Sequence, residues 1–165
     1  MKHAILWFLV ISVLLSGCSI EGSDSDDTLT FYYLENTYTY GADGAVMDSE
    51  LRDASGHRRD LSYLMALYLM GPTEEDHRMP LPPGTRIYGT VLENGNITLQ
   101  LSEAAINLSD SELSLASACL SLTCFGFSDA ESVCVQAGER SVTMTRDSMT
   151  LYDRSEKHPI MEETQ

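Results

Sequence analysis

Apolar and polar positions divide this chain into short elements. Ala4 to Leu15 is apolar throughout except for Ser12, and it follows the short basic start Met1-Lys2-His3. Ser19 to Asp27 is mostly Ser, Gly and acid. Such a stretch buries nothing and reads as a flexible tether. Thr28 to Leu34 is dense in β-branched and aromatic residues and predicts a first strand. Gly41-Ala42-Asp43-Gly44 is a turn signal, and Ala45 to Arg52 reads as a return strand. Leu61, Leu64, Met65, Tyr68 and Leu69 then form one apolar stripe at helical spacing. Asp60 is placed to cap this helix, and Gly71-Pro72 to end it.

Thr73 to Met79 reads as a charged loop, and Leu81-Pro82-Pro83-Gly84-Thr85 as a rigid extended entry to the next strand. Arg86 to Leu92 and Asn96 to Leu101 flank an Asn94-Gly95 pair, a strong hairpin signal. Ile97, Leu99 and Leu101 alternate with Thr98, Gln100 and Ser102, as a half-buried strand should. Ser109 and Glu112 have the spacing of a capping box. The helix they open is expected to bury Leu115, Ala118, Cys119 and Leu122 and to stop at Phe125-Gly126-Phe127. Ser132 to Gln136 is a strand, Ala137 to Arg140 a turn, and Ser141 to Thr145 a returning strand. This order predicts an α+β fold, a small mixed sheet with two helices packed on one face. There is no internal repeat, so a single module is expected.

The N-terminal apolar run is shorter than the ~20 residues a spanning helix needs. It ends in Leu15-Ser16-Gly17-Cys18, which resembles a bacterial lipobox. In that motif the cysteine thiol receives a diacylglycerol before cleavage just ahead of it, and small residues let the peptidase approach the backbone. The division expected is a signal peptide over 1–17, a tether over 18–27, a domain over 28–150 and a disordered tail over 151–165. The protein would then sit lipid-anchored on the extracytoplasmic face of the cell membrane. The full chain carries a net charge of −15, and removing the signal peptide takes away Lys2 and no acid. That charge argues against nucleic acid or anionic lipid as a partner.

Three cysteines follow the anchor: Cys119, Cys124 and Cys134. No C-x-x-C pair occurs among them, so buried apolar thiols are the preferred reading. A disulfide joining Cys119 or Cys124 to Cys134 is the alternative. His57, His77 and His158 lie in charged, loop-like sequence without metal-ligand spacing, and Glu74-Glu75-Asp76 lacks the pattern of a calcium loop. Ser102 lacks the surroundings of a nucleophile elbow. No phosphate-binding glycine motif appears. The residues therefore point to no catalytic site, cofactor or metal.

Leu64 to Ser102 resembles the core of the GerMN domain, the module of GerM-type sporulation and spore germination proteins. The resemblance rests on Tyr68-Leu69-Met70-Gly71-Pro72-Thr73-Glu74, on Pro82-Pro83-Gly84-Thr85, on the Asn94-Gly95-Asn96 hairpin and on Leu99-Gln100-Leu101-Ser102. It extends over roughly Leu29 to Met149. Two positions depart from the family pattern. Gln100 replaces an acid, and Phe125-Gly126-Phe127-Ser128 replaces a Phe-Pro-like break. The resemblance implies a wedge-shaped fold like the ring-building modules of secretion and sporulation complexes. It also implies a non-catalytic role as an assembly or scaffolding factor with an envelope protein complex as partner. Its signature residues here are Gly71, Pro72, Pro83, Gly84, Thr85 and Ser102, read as structural. The competing expectation is a cell-wall-binding lipoprotein that grips peptidoglycan through acids and the aromatic strip from Phe31 to Tyr40.

Overall fold

The computed structural model describes residues 27–36 and 46–149. The expected signal peptide, Cys18, the tether up to residue 26, the Gly41 to Gly44 turn and the tail lie outside the described residues. Within them the order is β1 (Thr28–Glu35), β2 (Met47–Asp53), α1 (Leu61–Leu69), β3 (His77–Arg78), β4 (Ile87–Glu93), β5 (Asn96–Leu101), α2 (Asp110–Phe127), β6 (Ser132–Ala137) and β7 (Arg140–Thr145). The α+β class holds. The strands, however, form two sheets: β2-β1-β3 and β4-β5-β6-β7.

The second sheet is mixed, because α2 carries the chain across from β5 to a parallel β6 while the other pairs are antiparallel. Local chemistry accounts for its turns. Asn94 and Gly95 both take positive φ, as a two-residue turn between β4 and β5 requires. Gly138 does the same between β6 and β7. Both helices lie on the inner face of this sheet. Ser62 of α1 meets Thr90 of β4 hydroxyl to hydroxyl at 2.9 Å, and α2 packs on β6 and β7.

One continuous core joins the elements. Leu29, Phe31 and Tyr33 of β1 meet Leu64, Met65 and Tyr68 of α1, while Ile97, Leu99, Val133 and Val135 close it from the second sheet. Phe31 and Tyr33 are fully buried, as alternation along β1 predicts. The rings of Tyr33 and Tyr68 stack at 4.9 Å between centroids. The first sheet exists because β2 returns along the whole of β1, and because His77 and Arg78 pair with Glu35 and Leu34. That short β3 falls inside the stretch expected to be a charged loop.

The rest of β1's second edge is covered by α2. Tyr32 N donates to Thr123 Oγ1 at 3.0 Å, and Thr123 Oγ1 itself donates back to Cys119 O. A Cβ at Gly126 would sit 3.6 Å from Thr30 O. A helix laid along an open strand edge protects it from pairing with another chain. The helix ends at Phe127, in the Phe125-Gly126-Phe127 segment expected to stop it. Its buried face, however, is broader than the one stripe expected. Leu113, Ala116, Leu120 and Cys124 enter the central core, whereas Leu115 is only half-buried. Between a strand edge and a sheet face, the helix is buried almost all round from Ala116 to Cys124.

Candidate functional site: a clasp around the Gly71-Pro72 loop

The signature residues sit in two places, and each performs backbone work. Asp60 caps α1 through its Oδ1, which accepts from Tyr63 N at 3.0 Å. At the other end Gly71 takes φ +90 and its amide donates to Tyr68 O. Glycine adopts that conformation without steric cost, and Pro72 cannot continue the helix. Arg52 of β2 reaches across and its Nη1 donates to Leu67 O and Gly71 O, at 3.1 and 2.8 Å. Leu67 O also accepts from Met70 N at 3.2 Å, so the guanidinium adds a second donor there, supplies one to Gly71 O and complements the negative end of the helix dipole.

Glu50, two residues before Arg52 on the same face of β2, completes the clasp. Its carboxylate accepts from Thr73 N and Glu74 N at 2.9–3.1 Å. Its side chain is 2 % exposed, and Oε1 lies 3.8 Å from Arg52 Nε. Glu50 thus holds the amides just past the helix, and Arg52 the carbonyls at its end. Arg52 also donates to Tyr33 Oη, and Tyr33 Oη in turn donates to Tyr68 O. Burial pushes the Tyr33 phenol up, an effect partly offset by the hydrogen bond from Arg52. Burial pushes Tyr68 well up. Both phenols therefore stay protonated donors across the physiological range.

His77 closes the cluster. Its Nδ1 stands 3.6 Å from Glu50 Oε2 and makes no hydrogen bond, while Nε2 is 3.9 Å from both Asp48 Oδ2 and Asp76 Oδ1. His77, expected in charged, loop-like sequence, is instead buried, since the β3 pairing tucks its side chain down to 5 % exposure. No set of three His, Cys, Asp or Glu side chains among the described residues is arranged to hold a metal ion.

The second group of signature residues builds the entry to β4. Pro82-Pro83-Gly84-Thr85 is a type II turn: Gly84 has φ +80, and Thr85 N donates to Pro82 O. Thr85 Oγ1 donates to the same carbonyl at 2.7 Å. Ser102, at the end of β5, exchanges two bonds with Arg86. Arg86 N donates to Ser102 Oγ, and Ser102 N donates to Arg86 O. Ser102 is thus a strand staple. Gln100 is exposed on the outer face of β5, opposite the buried Ile97, Leu99 and Leu101.

Cys119 and Cys124 are buried free thiols and Cys134 is a half-buried one, so no disulfide joins them. Burial pushes the Cys119 and Cys124 thiols up to about 12. Sequence reasoning found the loop but missed Glu50, Arg52 and His77. A signal was present: an acid and a base alternate on one face of a strand whose partner presents Phe31 and Tyr33. Such inward charges need buried partners.

No family model and no curated protein matches the chain. Two solved structures are similar. One is a Clostridium perfringens protein described as a candidate lipoprotein, with 16% identity and a TM-score of 0.43 over 75% of this chain and 91% of that one. The other holds the tandem GerMN domains of the sporulation protein GerM from Bacillus subtilis, with 18% identity and a TM-score of 0.49 over 71% of this chain. This chain spans 41% of that protein's length. Likenesses this distant do not decide the family.

Proposed function

We propose that this chain is an exported lipoprotein, anchored to the membrane by acylated Cys18, whose domain is a non-catalytic assembly factor in spore formation or germination. One observation carries the reading of the domain. The residues it shares with the GerMN pattern are all engaged in backbone geometry: Gly71 and Gly84 supply positive φ, Thr85 closes a turn, and Ser102 staples two strands. The most elaborate polar cluster, Glu50 with Arg52, is engaged with amides and carbonyls of the same loop. A motif of this kind preserves a shape for others to dock on. The lipobox-like Leu15-Ser16-Gly17-Cys18 supports the anchor, and the Ser-, Gly- and acid-rich composition of residues 19–27 suits a tether.

The test is affinity capture of the full chain from sporulating cells after crosslinking, beside a deletion strain scored for spore yield and germination. The reading expects recovery of a specific envelope protein and a defect in one of the two scores. Unchanged spores together with co-sedimentation on purified peptidoglycan would replace it with the wall-binding reading.

A further inference from the structure

The second sheet leaves one edge of β4 open. β4 pairs with β5 alone, and no backbone hydrogen bond among the described residues covers its other side. The bulge between Ile87 and Gly89 leaves Gly89 through Glu93 as its regular stretch. Glu93 and Asn96 flank the two-residue turn and form a hydrogen-bonded pair, and such pairs recur at every second residue of an antiparallel ladder. Gly89, Val91 and Glu93 therefore direct their main-chain groups to β5, while Thr90 and Leu92 turn theirs outward. Natural edges are blunted by Lys, Pro or an inward charge. None stands between Gly89 and Leu92. Instead β4 carries three of the six large apolar side chains exposed among the described residues: Tyr88, Val91 and Leu92. The other open edges differ. β2 carries Asp48, Glu50 and Asp53, which would repel a like strand, and β7 exposes only Ser141, Thr143 and Thr145.

We propose that two copies of this chain pair through β4, antiparallel about a two-fold axis at Val91, joining their second sheets into one. The strand is complementary to itself in this register. Thr90 and Leu92 lie symmetrically about Val91. Each Thr90 therefore exchanges both main-chain bonds with the second copy's Leu92, and no outward group of either residue is left over. On the outer face Val91 meets the second copy's Val91. Glu93 falls opposite Gly89, which has no side chain to crowd it. The two Glu93 carboxylates stand at opposite ends of the paired stretch. Four strand residues separate them by about 14 Å, beyond the ~10 Å screening length of 0.1 M salt. On the inner face each Leu92 approaches the other copy's hollow between α1 and β4. That hollow, about 570 Å³, is lined by His57, Leu61, Ser62 and Thr90, with Arg59 and Asp60 of opposite charge at its border. A two-fold contact closes on itself, so the assembly stops at two. The paired stretch is short, and small interfaces make weak complexes, so a dissociation constant on the order of 0.1 mM is expected.

The pairing does not depend on the assembly reading. Its test is sedimentation equilibrium of residues 19–165, which retain every core residue, from about 10 µM to about 1 mM. A monomer–dimer equilibrium is expected. It should tighten as salt rises from about 0.05 to about 0.5 M, because salt screens the repulsion of two acidic copies and a neutral strand pair has no charge contact to lose. Val91→Lys sets like charges across the axis and should weaken the dimer at least about tenfold, with an unchanged circular dichroism spectrum. A crosslink fixes the register. Residues opposed across the axis in a pair without hydrogen bonds have Cα atoms about 4.5 Å apart, within disulfide reach. In a Cys134→Ser background, Val91→Cys should form a disulfide-linked dimer under diamide far faster than Ser141→Cys, exposed on β7. A monomer at every concentration, a dimer indifferent to Val91→Lys, or equal crosslinking at positions 91 and 141 would each overturn the proposal. If envelope capture succeeds while these fail, the β4 pairing falls and the assembly reading stands.

Discussion

Glu50→Ala is the most informative single change within the domain. It deletes a carboxylate that accepts from two main-chain amides, Thr73 N and Glu74 N, and leaves Arg52 without its nearest anion. A hydrogen bond to a charged group contributes about 1.5–3 kcal/mol. Two such bonds give about 3–6 kcal/mol, reduced because a carboxylate no longer has to be desolvated. A loss of about 3–5 kcal/mol is expected, in line with breaking other buried ion pairs from one side. With a urea m-value of about 1.5 kcal/mol/M, the midpoint should fall by about 2–3 M. Glu50→Gln keeps the shape and one carbonyl acceptor, so about half that loss is expected. Leu51→Ser, at a neighbouring side chain 71 % exposed, should stay within about 0.5 kcal/mol of the parent. Urea unfolding followed by circular dichroism checks all three. A Glu50→Ala loss below about 1 kcal/mol with an unchanged m-value would refute the clasp.

Other outcomes follow from the same contacts. Ser117 and Ser121 carry buried hydroxyls without hydrogen-bond partners, so Ser121→Ala should stabilise the fold by about 1 kcal/mol, read as a raised urea midpoint. Gly84→Ala meets no atom within 4 Å but is held at φ +80, so calorimetry should show a loss of about 1–2 kcal/mol from backbone strain alone. In native protein lacking residues 1–18, a thiol reagent at pH 8 should modify Cys134 quickly and leave Cys119 and Cys124 intact until unfolding, because their thiols are pushed up to about 12. Hydrogen bonds from Ser109 hold the Glu112 carboxyl below its ordinary 4.5. The unfolded state therefore binds the proton more readily, so the stabilisation is present above about pH 4.5 and is lost as pH falls through the folded value. Ser109→Ala should return the Glu112 titration, followed by NMR, towards 4.5 and flatten that acid dependence.

The sequence was most legible where a local rule acts alone. The Asp60 cap, the Ser109–Glu112 capping box, the Asn94-Gly95 hairpin and the alternation of Phe31 with Tyr33 all depend on neighbours a few residues away. Long-range partners were hidden. Thr123 reads as one more helix residue until Tyr32 N is seen donating to it, and His77 resembles a loop histidine until Glu35 pairs with it. The division into two sheets depends on α2 covering an edge that periodicity gives no means of foreseeing. Of the candidate site, the turn glycines and prolines could be read from the chain. The inward pair Glu50 and Arg52 left a trace in the strand pattern, but the loop it clasps could not be read, since it lies more than twenty residues away.

The proposed role depends most heavily on Cys18, because a domain proposed to assemble an envelope complex must be held at the membrane. Intact-mass analysis of the protein extracted from membranes tests this directly. The account predicts a mature chain beginning at Cys18 and carrying the mass of a diacylglycerol on its thiol, with Cys18→Ala unacylated and released. An unmodified Cys18, or a chain cleaved elsewhere while membrane-bound, would contradict it.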